Sequence, residues 1–148
     1  MAPITLRFLV EPVDLGLGGH VRGGTVMKWI DQAGYACATA WARGPCILVY
    51  ASSIRLARTL RVNDMVEVQA RLAFTGQSHM NIVVELRSGP LTAGKLEKTT
   101  ECLVVYLAVD SEGTPMPVSA WTPETPGEMA LASSARAQYE GTRPAPLE

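Results

Sequence analysis

Residues 22–35 read RGGTVMKWIDQAGY, and this stretch decides how the chain is built. Two glycines open it, and a helical pattern follows. Its continuation, AGYACATAWA, is small and apolar on every side, where a surface helix would carry a polar stripe. The stretch predicts one long helix from about Gly24 to Arg43, buried along most of its length. Arg43-Gly44-Pro45 ends it, a basic residue followed by two breakers. Asp31 stands in the middle. An ionised carboxylate in an apolar interior is disfavoured by roughly several kcal/mol unless it is paired. Asp31 is therefore expected beside a wet cleft, with burial raising its pKa toward the range of a general base.

The segments on either side read as strands. Ile4, Leu6, Phe8 and Val10 share one face of an alternating segment. After the helix, CILVYASSIRL is a nearly continuous apolar run. Asn63-Asp64 marks a turn. Val66, Val68, Ala70, Leu72 and Phe74 then alternate with Glu67, Gln69 and Arg71. Met80, Ile82, Val84 and Leu86 alternate again, and ECLVVYLAVD is the last long strand. The short connections favour antiparallel neighbours. A lone sheet buries a helix only by curling around it, so the expected fold class is α+β, a curved antiparallel sheet wrapped on one central helix. The tail from Pro123 reads differently. Glu124 to Tyr139 is expected to form a peripheral helix, acidic early and basic late, and TRPAPLE to trail loosely. The expected division is a core domain over 1–120 and a helical tail over 121–148.

Composition excludes several functions. The formal net charge is -1, so there is no basic excess to hold nucleic acid or an anionic membrane. Only 18% of residues are charged, which predicts that other copies of the chain cover part of the surface. Cys37, Cys46 and Cys102 are odd in number and set in apolar runs. They read as buried free thiols, and with the two histidines they show no metal-ligand spacing. MAPITLRFLVEP lacks the features of a signal peptide, and no segment reaches transmembrane length, so a cytoplasmic location is expected. The run GLGGHVRGG fails as a nucleotide loop: the third glycine of G-x-G-x-x-G would fall on Val21, and no GK[ST] follows.

Four stretches in order, RGGTVMKWIDQAG, VYASS, TGQSHMNIVVEL and YLAVDSEGTPMPV, resemble the hotdog-fold acyl-CoA thioesterases (acyl-CoA hydrolases) over roughly Ile4 to Val118. The resemblance implies hydrolysis of acyl-CoA to a free acid and CoA, without metal or redox cofactor, within lipid metabolism. It implies a homodimer or dimer-based hexamer, with each site between the helix of one subunit and the strands of another. Asp31 takes the position of the helix aspartate, general base or nucleophile on the thioester. His20 stands where many members carry an asparagine, Arg22 where they carry His or Phe, and Tyr50 where they carry threonine.

The free N–H groups around Gly23, Gly24 and Thr25 are candidate oxyanion donors at a helix N-terminus. His20 is a candidate side-chain donor. Ser52, Ser53, Thr75, Gly76 and Ser78 are small polar positions suited to a pantetheine arm. Arg55, Arg58 and Arg61 are candidates for the CoA phosphates. Trp29, Tyr35 and Trp41 read as core or dimer contacts. Two rivals remain: an enoyl-CoA hydratase or dehydratase using His20 with Asp31, and a non-catalytic acyl-CoA-binding protein.

Overall fold

The computed structural model describes residues 1–142. Five strands form one antiparallel sheet: β1 (Ile4–Leu9), β2 (Cys46–Ala51), β3 (Asp64–Thr75), β4 (His79–Pro90) and β5 (Glu97–Ala108), in the order β1-β3-β4-β5-β2. The long helix α1 (Gly23–Ala42) lies against its inner face, and α2 (Pro126–Thr142) follows the sheet. This is the hotdog arrangement the sequence led one to expect. The final residues of TRPAPLE lie outside the described residues.

Alternation places Val66, Val68, Ala70 and Leu72 of β3 in one buried layer with Met80, Ile82, Val84 and Leu86 of β4 and Val104 and Tyr106 of β5. Val26, Trp29, Ile30, Ala33, Cys37 and Ala38 of α1 pack onto it. Those positions recur every three or four residues, one stripe of a helix. Each larger side chain contributes about 2 kcal/mol by leaving water. Burial is thus one-sided within the chain: Gln32, Tyr35 and Ala40 are exposed. The expectation of burial on every side needs a second body to cover the other face. Arg43 caps α1 in the left-handed region at φ 58°, its N–H donating to the Thr39 carbonyl at 2.8 Å. Asn63 adopts φ 69° at the predicted turn, a conformation asparagine tolerates.

Phe74 departs from the expected face. The β3–β4 register shifts between Leu72 and Phe74. This bulge turns Phe74 to the outer side, where it joins Ala73, Val83 and Leu103. The apolar part of the outer face receives α2 through Ala135, Leu131 and Tyr139, while Glu67, Gln69 and Arg71 stand at the other end of β3. The tail helix is peripheral, as expected, and is docked on the sheet. Its start is a capping box: Thr125 Oγ1 accepts from the Glu128 amide, and the Glu128 carboxylate accepts from the amides of Thr125 and Glu124, each at 3.0 Å. Those donors hold the Glu128 carboxyl below its ordinary range.

β2 is shorter than its apolar run. At Ser52 the amide donates to the Leu103 carbonyl at 2.9 Å, and the hydroxyl oxygen accepts the Leu103 N–H at 2.9 Å. One residue thereby closes the last rung with its own side chain, and the chain leaves the sheet. Among the described residues the far edge of β2 has no neighbouring strand, and Ile47 and Leu48 are exposed.

Candidate active site

Asp31 sits at mid-helix on the border between the buried stripe and solvent, and is half-buried. The Tyr106 hydroxyl donates to its Oδ1 at 2.7 Å and lies 3.2 Å from its backbone carbonyl. Among the described residues no other hydrogen bond reaches the carboxylate. Burial, then the bond to Asp31, push the Tyr106 hydroxyl far above its ordinary pKa. It therefore stays a donor at working pH. Tyr35, one turn beyond Asp31, meets the Tyr106 ring edge-on at 6.2 Å, and Leu48 lies opposite Tyr106 in the β2–β5 register. Asp31 thus lies on the side of the molecule where β2 ends the sheet and Ile47 and Leu48 are exposed.

The start of α1 is a second feature. Gly23 and Gly24 supply amides without intrahelical partners. A Cβ on either would meet nothing within 4 Å, so nothing in this chain requires glycine there. Gly24 lines an open cleft of about 500 Å³ with Val13, Asp14, Arg22, Thr25, Lys28 and Trp29. Thr25 differs from expectation: its amide is taken by the Arg22 carbonyl at 3.0 Å. Seven residues separate Gly24 from Asp31 (31 − 24), an axial rise of about 10 Å. One protomer does not bring its own carboxylate and its own helix-start amides to one carbonyl carbon.

The remaining candidates divide. His20 is exposed and shares a cleft of about 350 Å³ with Val21, Leu56, Ala57, Arg58, Thr59 and Leu60. Arg58, however, is already engaged. It donates to Ser88 Oγ at 2.7 Å and sits 3.3 Å from the Asp64 carboxylate. Arg55 and Arg61 are exposed. The Ser52 hydroxyl is spent on Leu103, whereas Ser53 is exposed. Thr75 Oγ1 accepts the Trp121 amide at 3.0 Å, the Gly76 amide closes the β3–β4 turn onto the His79 carbonyl at 2.9 Å, and the Ser78 carbonyl accepts from Ala108 at 2.9 Å. These three hold a turn and the segment after β5. Among the described residues no three His, Cys, Asp or Glu side chains gather closely enough to hold a metal ion, and no helix is long and apolar enough to cross a membrane.

Sequence reading missed Tyr106 and Gly34. A Cβ on Gly34 would stand 2.8 Å from the Tyr106 oxygen and 3.1 Å from Val104 Cγ2, so the tyrosine reaches α1 only because residue 34 has no side chain. The one signal in the sequence was a polar-tipped Tyr in the otherwise apolar LVVYLAV.

One long helix packed on a five-stranded antiparallel sheet of order β1-β3-β4-β5-β2 is the hotdog arrangement, with Asp31 at the margin of the helix. The thioesterase superfamily model matches residues 18–94, and the chain belongs to that family. An acyl-CoA thioester hydrolase of Salmonella typhimurium is 32% identical over 120 residues, 78% of this chain and 89% of that one. A crystal structure of an apo-hexameric acyl-CoA thioesterase superposes with a TM-score of 0.87 at 29% identity, covering 94% of this chain and 89% of the other. A hexameric thioesterase from Yersinia pestis gives 0.74 at 28% identity, over 81% and 97%.

Proposed function

We propose that this protein, an acyl-CoA thioester hydrolase, cleaves its substrate from Asp31. The supporting observation is a half-buried carboxylate with one oxygen bonded to Tyr106, on the side of the sheet where Ile47 and Leu48 are exposed. As general base, Asp31 takes a proton from water attacking the thioester carbonyl. As nucleophile, it attacks that carbon itself, expels the CoA thiolate and forms an anhydride, which water hydrolyses to the free acid and the restored aspartate. In either route CoA leaves as the thiol.

The oxyanion of the tetrahedral intermediate needs preorganised donors. The Gly23 and Gly24 amides at the positive end of α1 suit it, and the absence of a Cβ at both positions lets an acyl carbonyl approach closely. About 10 Å of rise keeps them from Asp31 within one chain, so each site takes its aspartate from one protomer and its helix start from another. The unpaired edge of β2, with Ile47 and Leu48, and the exposed Tyr35 are the surfaces such a pairing covers. A homodimer repeated into a hexamer accords with the hexameric relatives. His20 lies in the loop before the helix start and, in this reading, adds a donor or orients the water. Arg55 and Arg61 remain for the CoA phosphates, and Ser53 for the pantetheine arm. A cytoplasmic setting, no resident cofactor, and a role in lipid metabolism complete the proposal. Its test is release of free thiol from short, medium, long and aromatic acyl-CoAs. Turnover that depends on Asp31 is the expected result. Tight binding of every ester without thiol release would overturn it.

A further inference from the structure

Catalysis by a carboxylate requires more than its presence. An aspartate at the margin of a helix has freedom about two side-chain torsions, and in solvent it samples several orientations. Here the freedom is removed from the sheet side. Tyr106 projects from β5 toward α1, and its hydroxyl contacts both Oδ1 and the main-chain oxygen of Asp31. The contact depends on Gly34, one turn further on, whose missing Cβ leaves the room the hydroxyl occupies. The tyrosine is fully buried. The titratable groups near it are Asp31, Tyr35 and Cys37 on α1 and Cys102 on its own strand. Burial raises both thiols, so neither brings a charge at neutral pH. The carboxylate therefore faces one fixed neutral donor.

We infer that Tyr106 is a positioning residue for the reaction, clamping one oxygen of Asp31 so that the other is held toward the reacting thioester, with Gly34 as the gap that admits it. This rests on the reading of Asp31 as the reacting carboxylate. A neutral donor suits that role: it fixes the orientation without an opposing charge that would hold the group ionised.

The experiment is a cycle of Tyr106→Phe and Asp31→Ala, assayed by thiol release on the best acyl-CoA, with folding followed by circular dichroism. Alanine is used because asparagine would still accept the tyrosine's bond. Tyr106→Phe keeps the ring in the core and is expected to lower kcat about tenfold with KM within about twofold. On the Asp31→Ala background the same change should have no further effect. Gly34→Ala, which drives the hydroxyl away, should reproduce the fall in kcat and serves if the phenylalanine variant does not fold. Wild-type kcat in Tyr106→Phe, or an equal loss with and without Asp31, would overturn the inference. Full turnover by Asp31→Ala would instead overturn Asp31 as the reacting group, and the clamp with it.

Discussion

Two aspartates in this molecule have opposite surroundings. Asp64 opens β3 at the closed end of the sheet, with its side chain only 5% exposed. Its carboxylate takes the Arg61 amide at 2.9 Å and the Arg58 guanidinium at 3.3 Å, and Arg58 goes on to Ser88 and through it to Thr99. Asp31 is half-buried and has one neutral hydroxyl as the hydrogen-bond partner of its carboxylate among the described residues. A carboxylate that holds a fold together is surrounded by fixed donors and an opposite charge. A carboxylate that must gain and lose a proton is left one free oxygen. On the proposed role of Asp31, the difference separates a carboxylate that holds the fold from one that reacts.

That contrast can be broken in four ways. The largest effect is expected from Asp31→Asn, which should cut thiol release by about a hundredfold or more while leaving the thermal midpoint almost unchanged. Parallel assays and melts would reveal a failure on either count. Asp64→Asn should do the reverse. It leaves Arg58 short of its partner, and urea unfolding should show a loss of about 2 kcal/mol, below the usual figure for a buried pair because Arg58 is partly exposed. Its kcat, measured where the protein is folded, should stay within about twofold.

Alkaline titration addresses the dry side of the same helix. Burial pushes the Cys37 thiol from an ordinary value of 9.0 up to about 11. The folded state then keeps its proton while the unfolded chain loses one, so this stability is complete below pH 9 and is lost as pH rises toward 11. Cys46 and Cys102 shift in the same direction. A decline on the order of 1 kcal/mol by pH 10 is expected in the urea midpoint, and Cys37→Ala should flatten it. The smallest effect belongs to the outer face. The Arg136 guanidinium lies 4.4 Å from the centre of the Phe74 ring. Arg136→Ala should cost about 0.5 kcal/mol and leave turnover untouched, separating α2 from the chemistry.

Much of the fold was legible because strict alternation and a twenty-residue helical run leave few alternatives. The failures were those of pairwise geometry. Phe74 left its face because one extra residue entered β3, which periodicity cannot foresee. β2 stopped early because a serine hydroxyl replaced a main-chain acceptor. α1 read as buried all round, although its own chain covers one stripe. At the site, the helix start at Gly23 and Gly24 and the place of Asp31 along the helix were legible from the pattern. The engagement of Arg58 was not, because its partner Asp64 is the acid of a turn motif and its other partner is on a different strand. Nor was the bond of the Thr25 amide, because the first helical turn tightens onto Arg22. Tyr106 was invisible: a tyrosine among valines reads as core until α1 is laid across it.

The bond between Tyr106 and Asp31 joins residues 75 positions apart. Contacts of that span form late, because the intervening chain must first surrender its freedom to close so large a loop. The sheet must be assembled out to β5 before the tyrosine has anywhere to point. On refolding, then, the chemistry has no local precursor. An isolated α1 carries the acid but not its clamp, and a half-formed sheet carries the clamp but no acid. On the two-protomer site proposed above, activity should return only after the sheet is complete and protomers have associated, so that recovered turnover reports the last event of assembly.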